Sequence, residues 1–367
     1  MPVVVVDDCG HEHSPAVRVS HRLPTAAAGL SLVLVLAVTL ATSLTATCAA
    51  ARRDVARAAD SGANDVPEFV FIKTHKTGSS SVTVMLAHAL EHRGLRPAVP
   101  CRDHLGYPDD FVDPKRTLCG RDPLNFHAAI SHIRWTPRSR ATLLGLMGPG
   151  QPKLFTIVRD PITRFISALG YYGNSRLQQA LHFDRNSINE AWLQEAVQRI
   201  SRSDVRGQLS RYARQLHFIG YAFDFGLASD YEVDEKPGFR GQAQDLVNSL
   251  DFVLLNEEWD LSMALLKRNL NMTYKDTIYP HLKKVGKAPV VVSQATRDLF
   301  CKVFWSDCIL YDLMKQRFWA AVDDDIQRSA RLVARTNEAA RRDAEKDAST
   351  HGKTEDVQDF FNRLRRA

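Results

Sequence analysis

The stretch Phe69-Val-Phe-Ile-Lys-Thr-His-Lys-Thr-Gly-Ser-Ser-Ser-Val restricts the architecture more than any other part of the chain. Four apolar, strand-forming residues run into a turn of cations, hydroxyls and a glycine, and an apolar helical pattern follows. Such a strand–turn–helix layout suits binding of an oxyanion. Backbone N–H groups at a helix start point outward, the dipole favours negative charge, and Gly78 lets the backbone approach closely. Lys73, His75, Lys76, Thr77, Gly78, Ser79 and Ser80 are the candidate anion-binding residues. The same pattern also fits a plain polar turn with a serine N-cap. The spacing G-x-x-x-x-G-K-[ST] is absent, which counts against an ordinary nucleotide-hydrolysing protein.

A second segment, Thr156-Ile-Val-Arg-Asp-Pro-Ile-Thr-Arg-Phe-Ile-Ser, repeats the layout. A strand ends at Val158, Arg159 follows at its carboxyl end, and Pro161 suits the first turn of a helix that carries Ser167. An Arg fork and a Ser hydroxyl are donors suited to a phosphate; a structural Arg-Asp pair with a buried small Ser is the plainer alternative. The remaining pattern predicts strands at Phe69–Ile72, Ala128–Ser131, Leu154–Val158 and Asp251–Leu255. It predicts helices at Ser80–Glu91, Ile162–Tyr172, Ile188–Ile200, Asp260–Leu270 and Gln294–Phe318. Val/Ile/Phe-rich strands alternating with helices imply an α/β fold with a central, mostly parallel sheet covered on both faces.

Taken together the two segments resemble the galactose 3-O-sulfotransferase family. Lys-Thr-His-Lys-Thr-Gly-Ser-Ser-Ser is similar to that family's 5′-phosphosulfate loop. Arg159 and Ser167 match the positions that bind the donor's 3′-phosphate in Golgi sulfotransferases. The resemblance covers roughly residues 67–318 and is weaker through Phe252–Ser262 and Phe304–Tyr311. It implies a three-layer P-loop-like sulfotransferase fold and 3′-phosphoadenosine 5′-phosphosulfate (PAPS) as sulfonate donor. It further implies transfer to the 3-hydroxyl of a β-galactose on a glycolipid or glycan, with no metal required, and leaves a homo-oligomer possible. The competing readings are a uronyl 2-O type glycosaminoglycan sulfotransferase and an inert, membrane-tethered glycan-binding protein of the same fold. A kinase-like reading lacks both the Walker spacing and an evident Mg²⁺-binding aspartate motif.

Transfer to an alcohol needs a base for the hydroxyl proton, and histidine titrates in the useful range. In Phe126-His-Ala-Ala-Ile-Ser-His-Ile-Arg-Trp a strand ends at His132, which resembles the strand-end His followed by an aromatic in galactose and uronyl 2-O sulfotransferases. His132 is therefore the expected base and Lys76 the residue that stabilises the departing phosphate oxygen. A satisfied, partly buried histidine is the alternative. His75 and Glu257 are the fallback bases, and Arg134, Trp135, His75 and Glu257 are the expected acceptor contacts. Glu257 also reads as a helix-terminal cap.

Outside these segments, residues 25–50 hold no charge and form one apolar run centred on Leu-Ser-Leu-Val-Leu-Val-Leu-Ala-Val. The run is long enough to span a bilayer and exceeds the usual apolar region of a cleaved signal peptide. The expected organisation is a cytosolic tail at 1–24, a transmembrane anchor at 25–50, a stem at 51–66, the catalytic domain at 67–320, and a charged helix or disordered tail at 321–367. A single-pass type II Golgi membrane protein with a luminal domain follows. Two features agree with that topology. One is the sequon Asn271-Met272-Thr273, which makes Asn271 a candidate glycosylation site; the other is the four domain cysteines, with Cys101–Cys119 and Cys301–Cys308 as candidate pairs. On one unbroken helix the second pair would lie about 10 Å apart, so it demands a break near Ser306. The net charge of +6 suits an anionic ligand, but no dense Lys/Arg run with interleaved aromatics points to nucleic acid.

Overall fold

The computed structural model describes residues 66–347, apart from residue 103, residue 180 and the segments 119–125, 148–149, 172–177, 185–187, 202–219, 228–235 and 280–289. The expected cytosolic tail, anchor, most of the stem, residues 348–367 and Cys119 lie outside the described residues. Among the described residues no helix is long and apolar enough to cross a membrane.

Four strands, β1 (Phe69–Ile72), β2 (Ala128–Ala129), β3 (Lys153–Val158) and β4 (Phe252–Leu255), form one sheet in the order β2-β1-β3-β4. Every neighbouring pair is parallel, with Ile72 opposite Thr156 and Val158 opposite Leu255. β1, β2 and β4 are buried along their whole length, and β3 at every residue after Lys153. Burial of successive residues, which point to opposite faces, means that both faces of the sheet are covered. Phe71, Phe155 and Phe252 stack across three strands, at centroid distances of 5.1 and 4.6 Å.

The helices after the strands start where the sequence places capping signals. α1 (Ser79–Glu91) follows β1, with Gly78 in the left-handed conformation as its N-cap. α2 (Pro114–Thr117) and α3 (Pro137–Leu146) each begin with proline after a side-chain cap, Asp113 and Thr136. α4 (Pro161–Tyr171) follows β3, and Asp160 accepts from Thr163 N at 3.0 Å to cap it. α5 (Glu190–Ser201), α6 (Tyr221–Asp224), α7 (Phe239–Ser249) and α8 (Trp259–Asn269) come next. α1 leaves β1 toward β2 on one side, while the chain returns past β1 to build β3 and β4 on the other. The carboxyl ends of β1 and β3 therefore flank the point where strand order reverses, the place at which open parallel sheets bind ligands.

The long helix expected over Gln294–Phe318 is two helices, α9 (Gln294–Val303) and α10 (Trp305–Ala320), broken at Phe304. The break lies two residues before Ser306 and brings the Cα atoms of Cys301 and Cys308 to 5.7 Å, where they form a disulfide. Within the charged C-terminal stretch, α11 (Asp324–Asp347) packs on α8, and its Ile326, Ala330, Val333 and Asn337 are buried. Their spacing of four, three and four residues lines one helix face, so packing extends beyond residue 320.

Candidate functional site

The site is assembled at the carboxyl ends of β1, β2 and β3. The turn after β1 contains two left-handed residues, Lys76 (φ 62°) and Gly78 (φ 80°). Its interior is held by hydroxyls. Thr74 Oγ1 donates to Ile157 O on β3 at 2.6 Å, and Ser79 Oγ donates to Thr74 O at 2.6 Å. Asn256, just past β4, donates to Thr77 O at 3.1 Å. A Cβ on Gly78 would lie 2.6 Å from Asn256 Nδ2 and 3.0 Å from the Trp259 ring, so close packing and positive φ both require glycine there. α1 has no side-chain cap and no acidic residue in its first turn, which leaves its N-terminal donors available to an anion. The Lys76 ammonium lies 3.5 Å from the centroid of the half-exposed Tyr171 ring at the end of α4.

His132 follows β2 and donates from Nδ1 to Lys73 O at 3.0 Å; the carbonyl can only accept, so in the neutral ring Nε2 carries the lone pair. Burial holds its pKa well below the usual histidine value, and the neighbouring basic side chains of His75, Lys73 and His104 disfavour a second charge in the same place, against the hydrogen bond to Lys73 O. Its ring stacks on that of His75 at 4.0 Å and 13°, and His104 meets it edge-on at 5.0 Å. Neutral at physiological pH, with a lone pair on one known nitrogen, His132 has the form a general base needs.

Arg159 stands at the end of β3. Tyr221 on α6 grips its backbone, accepting from Arg159 N at 2.7 Å and donating to Arg159 O at 2.6 Å. Arg159 Nε donates to Thr163 Oγ1 at 3.2 Å, and Ser167, half-buried, lies one turn beyond Thr163 on the same helix. The fold thus brings the β1 turn, His132 and Arg159 to one edge of the sheet.

Other expected residues fall elsewhere. Trp135 is 3% exposed and packed in the core, so it does not line an open groove. Glu257 accepts from Asp160 N at 2.6 Å and braces the start of α4 rather than that of α8; burial raises its pKa. Arg134 lies 4.2 Å from the centroid of Phe223 and 4.0 Å from Asp110. Asn271 is exposed, in a left-handed turn after α8. Cys101 N bonds to Thr117 O at 2.7 Å, near the chain position of Cys119. Among the described residues no group of His, Cys, Asp or Glu is arranged to hold a metal.

The sequence reading missed Tyr107, Arg164, Tyr221, Asp224 and Asp307. Arg164, 1% exposed, pairs with Asp224 at 3.3 Å and Asp307 at 3.1 Å, and its guanidinium lies over Tyr221. A long cation on an otherwise apolar helix, Pro161-Ile-Thr-Arg-Phe-Ile, was a readable signal of a buried partner. Nothing local marked which acids would meet it.

A parallel α/β sheet with a glycine-bearing, lysine-bearing turn at its switch point and a neutral histidine beside it is the class of fold and site this chain builds. The sequence model described as Galactose-3-O-sulfotransferase matches residues 16–355, and the chain belongs to that family. It is similar to the galactosylceramide sulfotransferase of Bos taurus, 30% identical over 286 residues that cover 75% of this chain and 63% of that protein. It is similar also to galactose-3-O-sulfotransferase 3 of Bos taurus, 28% identical over 69% of this chain and 57% of that one. Galactose-3-O-sulfotransferase 4 of Homo sapiens is 35% identical over 173 residues. The chain spans about three-fifths of the length of the first two of these relatives.

Proposed function

We propose that the protein transfers a sulfonate from PAPS to the 3-hydroxyl of a β-linked galactose on a glycolipid or glycan. We propose further that it does so on the luminal side of the Golgi membrane, anchored by residues 25–50. The observation that carries this reading is the convergence of the β1 turn, Arg159 and the neutral His132 at the carboxyl ends of β1, β2 and β3, in a chain of this family.

PAPS has anionic groups at both ends and supplies an activated sulfonate. The N–H groups at the start of α1, with the Lys73 and Ser80 side chains, receive the 5′-phosphosulfate; the Thr77 and Ser79 hydroxyls are committed within the turn and leave only their backbone N–H groups to it. Arg159 and Ser167 receive the 3′-phosphate. Lys76 supplies positive charge where negative charge develops on the phosphate oxygen as the S–O bond breaks. His132 Nε2 takes the acceptor hydroxyl proton as the new O–S bond forms, and burial keeps that nitrogen unprotonated until then. Arg134 remains the charged candidate for acceptor contact.

The test is transfer from ³⁵S-labelled PAPS by the full chain, with galactosylceramide, lactosamine-type glycans and desulfated heparan offered side by side. Transfer to a galactoside, lost in Lys76→Ala and His132→Ala, is the expected result. Transfer to heparan alone would overturn the galactose assignment, and failure to bind PAPS would overturn the donor site itself.

A further inference from the structure

Asp224 ends α6 and is 1% exposed. Four donors converge on its carboxylate. His75 N reaches Oδ2 at 3.0 Å and Arg164 Nη2 reaches the same oxygen at 3.3 Å. His75 Nδ1 reaches Oδ1 at 2.9 Å, and the Tyr107 hydroxyl donates to that oxygen at 3.1 Å. Arg164 also donates through Nε to His75 O at 2.7 Å and through Nη1 to Asp307. One residue of the β1 turn is thus held at its amide, its ring and its carbonyl.

Apolar packing of the same volume often stabilises a fold as well as a desolvated charge network does, so this network is weak evidence of a purely stabilising role. Its geometric effect is specific. A carboxylate only accepts, so Asp224 holds a proton on His75 Nδ1, and whenever the ring is neutral its lone pair is on Nε2. That ring is also held in the plane that stacks on His132, whose own Nδ1 proton is committed to Lys73 O.

We propose that Asp224 is a positioning residue of the transfer site. It sets the tautomer and plane of His75, and through the stack the plane of His132, and it fixes the turn from which Lys76 projects. This inference rests on the function proposed above.

The test uses the full chain labelled with ¹⁵N-histidine, the His75 signals being identified by their loss in His75→Asn. In the unmodified protein, wherever along a pH titration the ring is neutral, His75 is expected with its proton on Nδ1. In Asp224→Asn the proton distributes toward Nε2, kcat for sulfonate transfer falls roughly a hundredfold, and binding of 3′-phosphoadenosine 5′-phosphate weakens about tenfold. A neutral His75 ring with its proton on Nε2 in the unmodified protein would overturn the inference, even if Asp224→Asn does not fold. So would an Asp224→Asn protein that melts lower yet keeps its kcat, because Asp224 would then be only structural. Should the unmodified protein sulfate none of the acceptors, the functional reading fails; the nitrogen spectrum and nucleotide binding still decide for or against Asp224.

Discussion

At the residue scale, two positions combine local backbone demand with chemistry. Gly78 has φ 80°, and an added methyl would meet the Asn256 amide and the Trp259 ring. Gly78→Ala is expected to lower stability by about 1–3 kcal/mol and to raise the KM for PAPS, read by thermal melting and donor titration. His132 is the second. Its pKa lies below the ordinary histidine value, so the base form persists to lower pH than for a free imidazole. The pH–kcat profile should therefore stay flat through pH 6.5 and turn down only below it; His132→Ala should lose roughly 10²–10⁴-fold in kcat and lose that limb. A profile that already falls at pH 7 would remove His132 as the base. The places of Gly78, Lys73, Lys76 and His132 after their strands were legible because each follows an apolar strand pattern. Trp135 misled because an aromatic beside a strand end reads alike whether it faces a groove or the core, and here the core takes it.

At the element scale, α11 is a working part of the compact unit. Asn337 donates to Thr277 O at 3.1 Å and accepts from Tyr279 N at 3.2 Å, joining this helix to the turn after α8. Asn337→Ala leaves those buried backbone groups unpaired and should cost about 1–3 kcal/mol, with kcat unchanged in the protein that remains folded. Its high charge made this helix look like a solvated tail, since four buried positions in a long charged run are a faint stripe. The elbow at Phe304 is the other element-level finding. The Cys301–Cys308 bond closes a short loop across it, and Arg297 on α9 and Asp307 on α10 reach back to Asp160 and Arg164 in and beside the first turn of α4. Cys301→Ser should lower stability by about 2 kcal/mol on loop-entropy grounds. A weaker hold on the donor, seen as a raised KM for PAPS, should accompany it.

For the molecule as a whole, stability should respond to acid through the same partly buried histidine. Below about pH 6.5 the unfolded chain binds a proton at His132 that the folded chain refuses. Stability therefore falls as the pH drops from there to the lowered folded pKa, and is flat with respect to this group below it. Chemical denaturation across pH 7 to 5 reads this directly, and His132→Gln should flatten that part of the curve. Local order in the chain was enough to announce the parallel sheet, the β1 turn and the Arg159 segment, because hydrophobic period, caps and turn chemistry act over a few residues. The partners of Arg164 could not be read that way. Asp224 and Asp307 lie 60 and 143 positions from it, and they meet it only once α4, α6 and α10 pack together. A buried charge needs a partner close in space and says nothing of where along the chain that partner lies. So the β1 turn was written locally, while the grip on His75 at its amide, ring and carbonyl came from long-range packing.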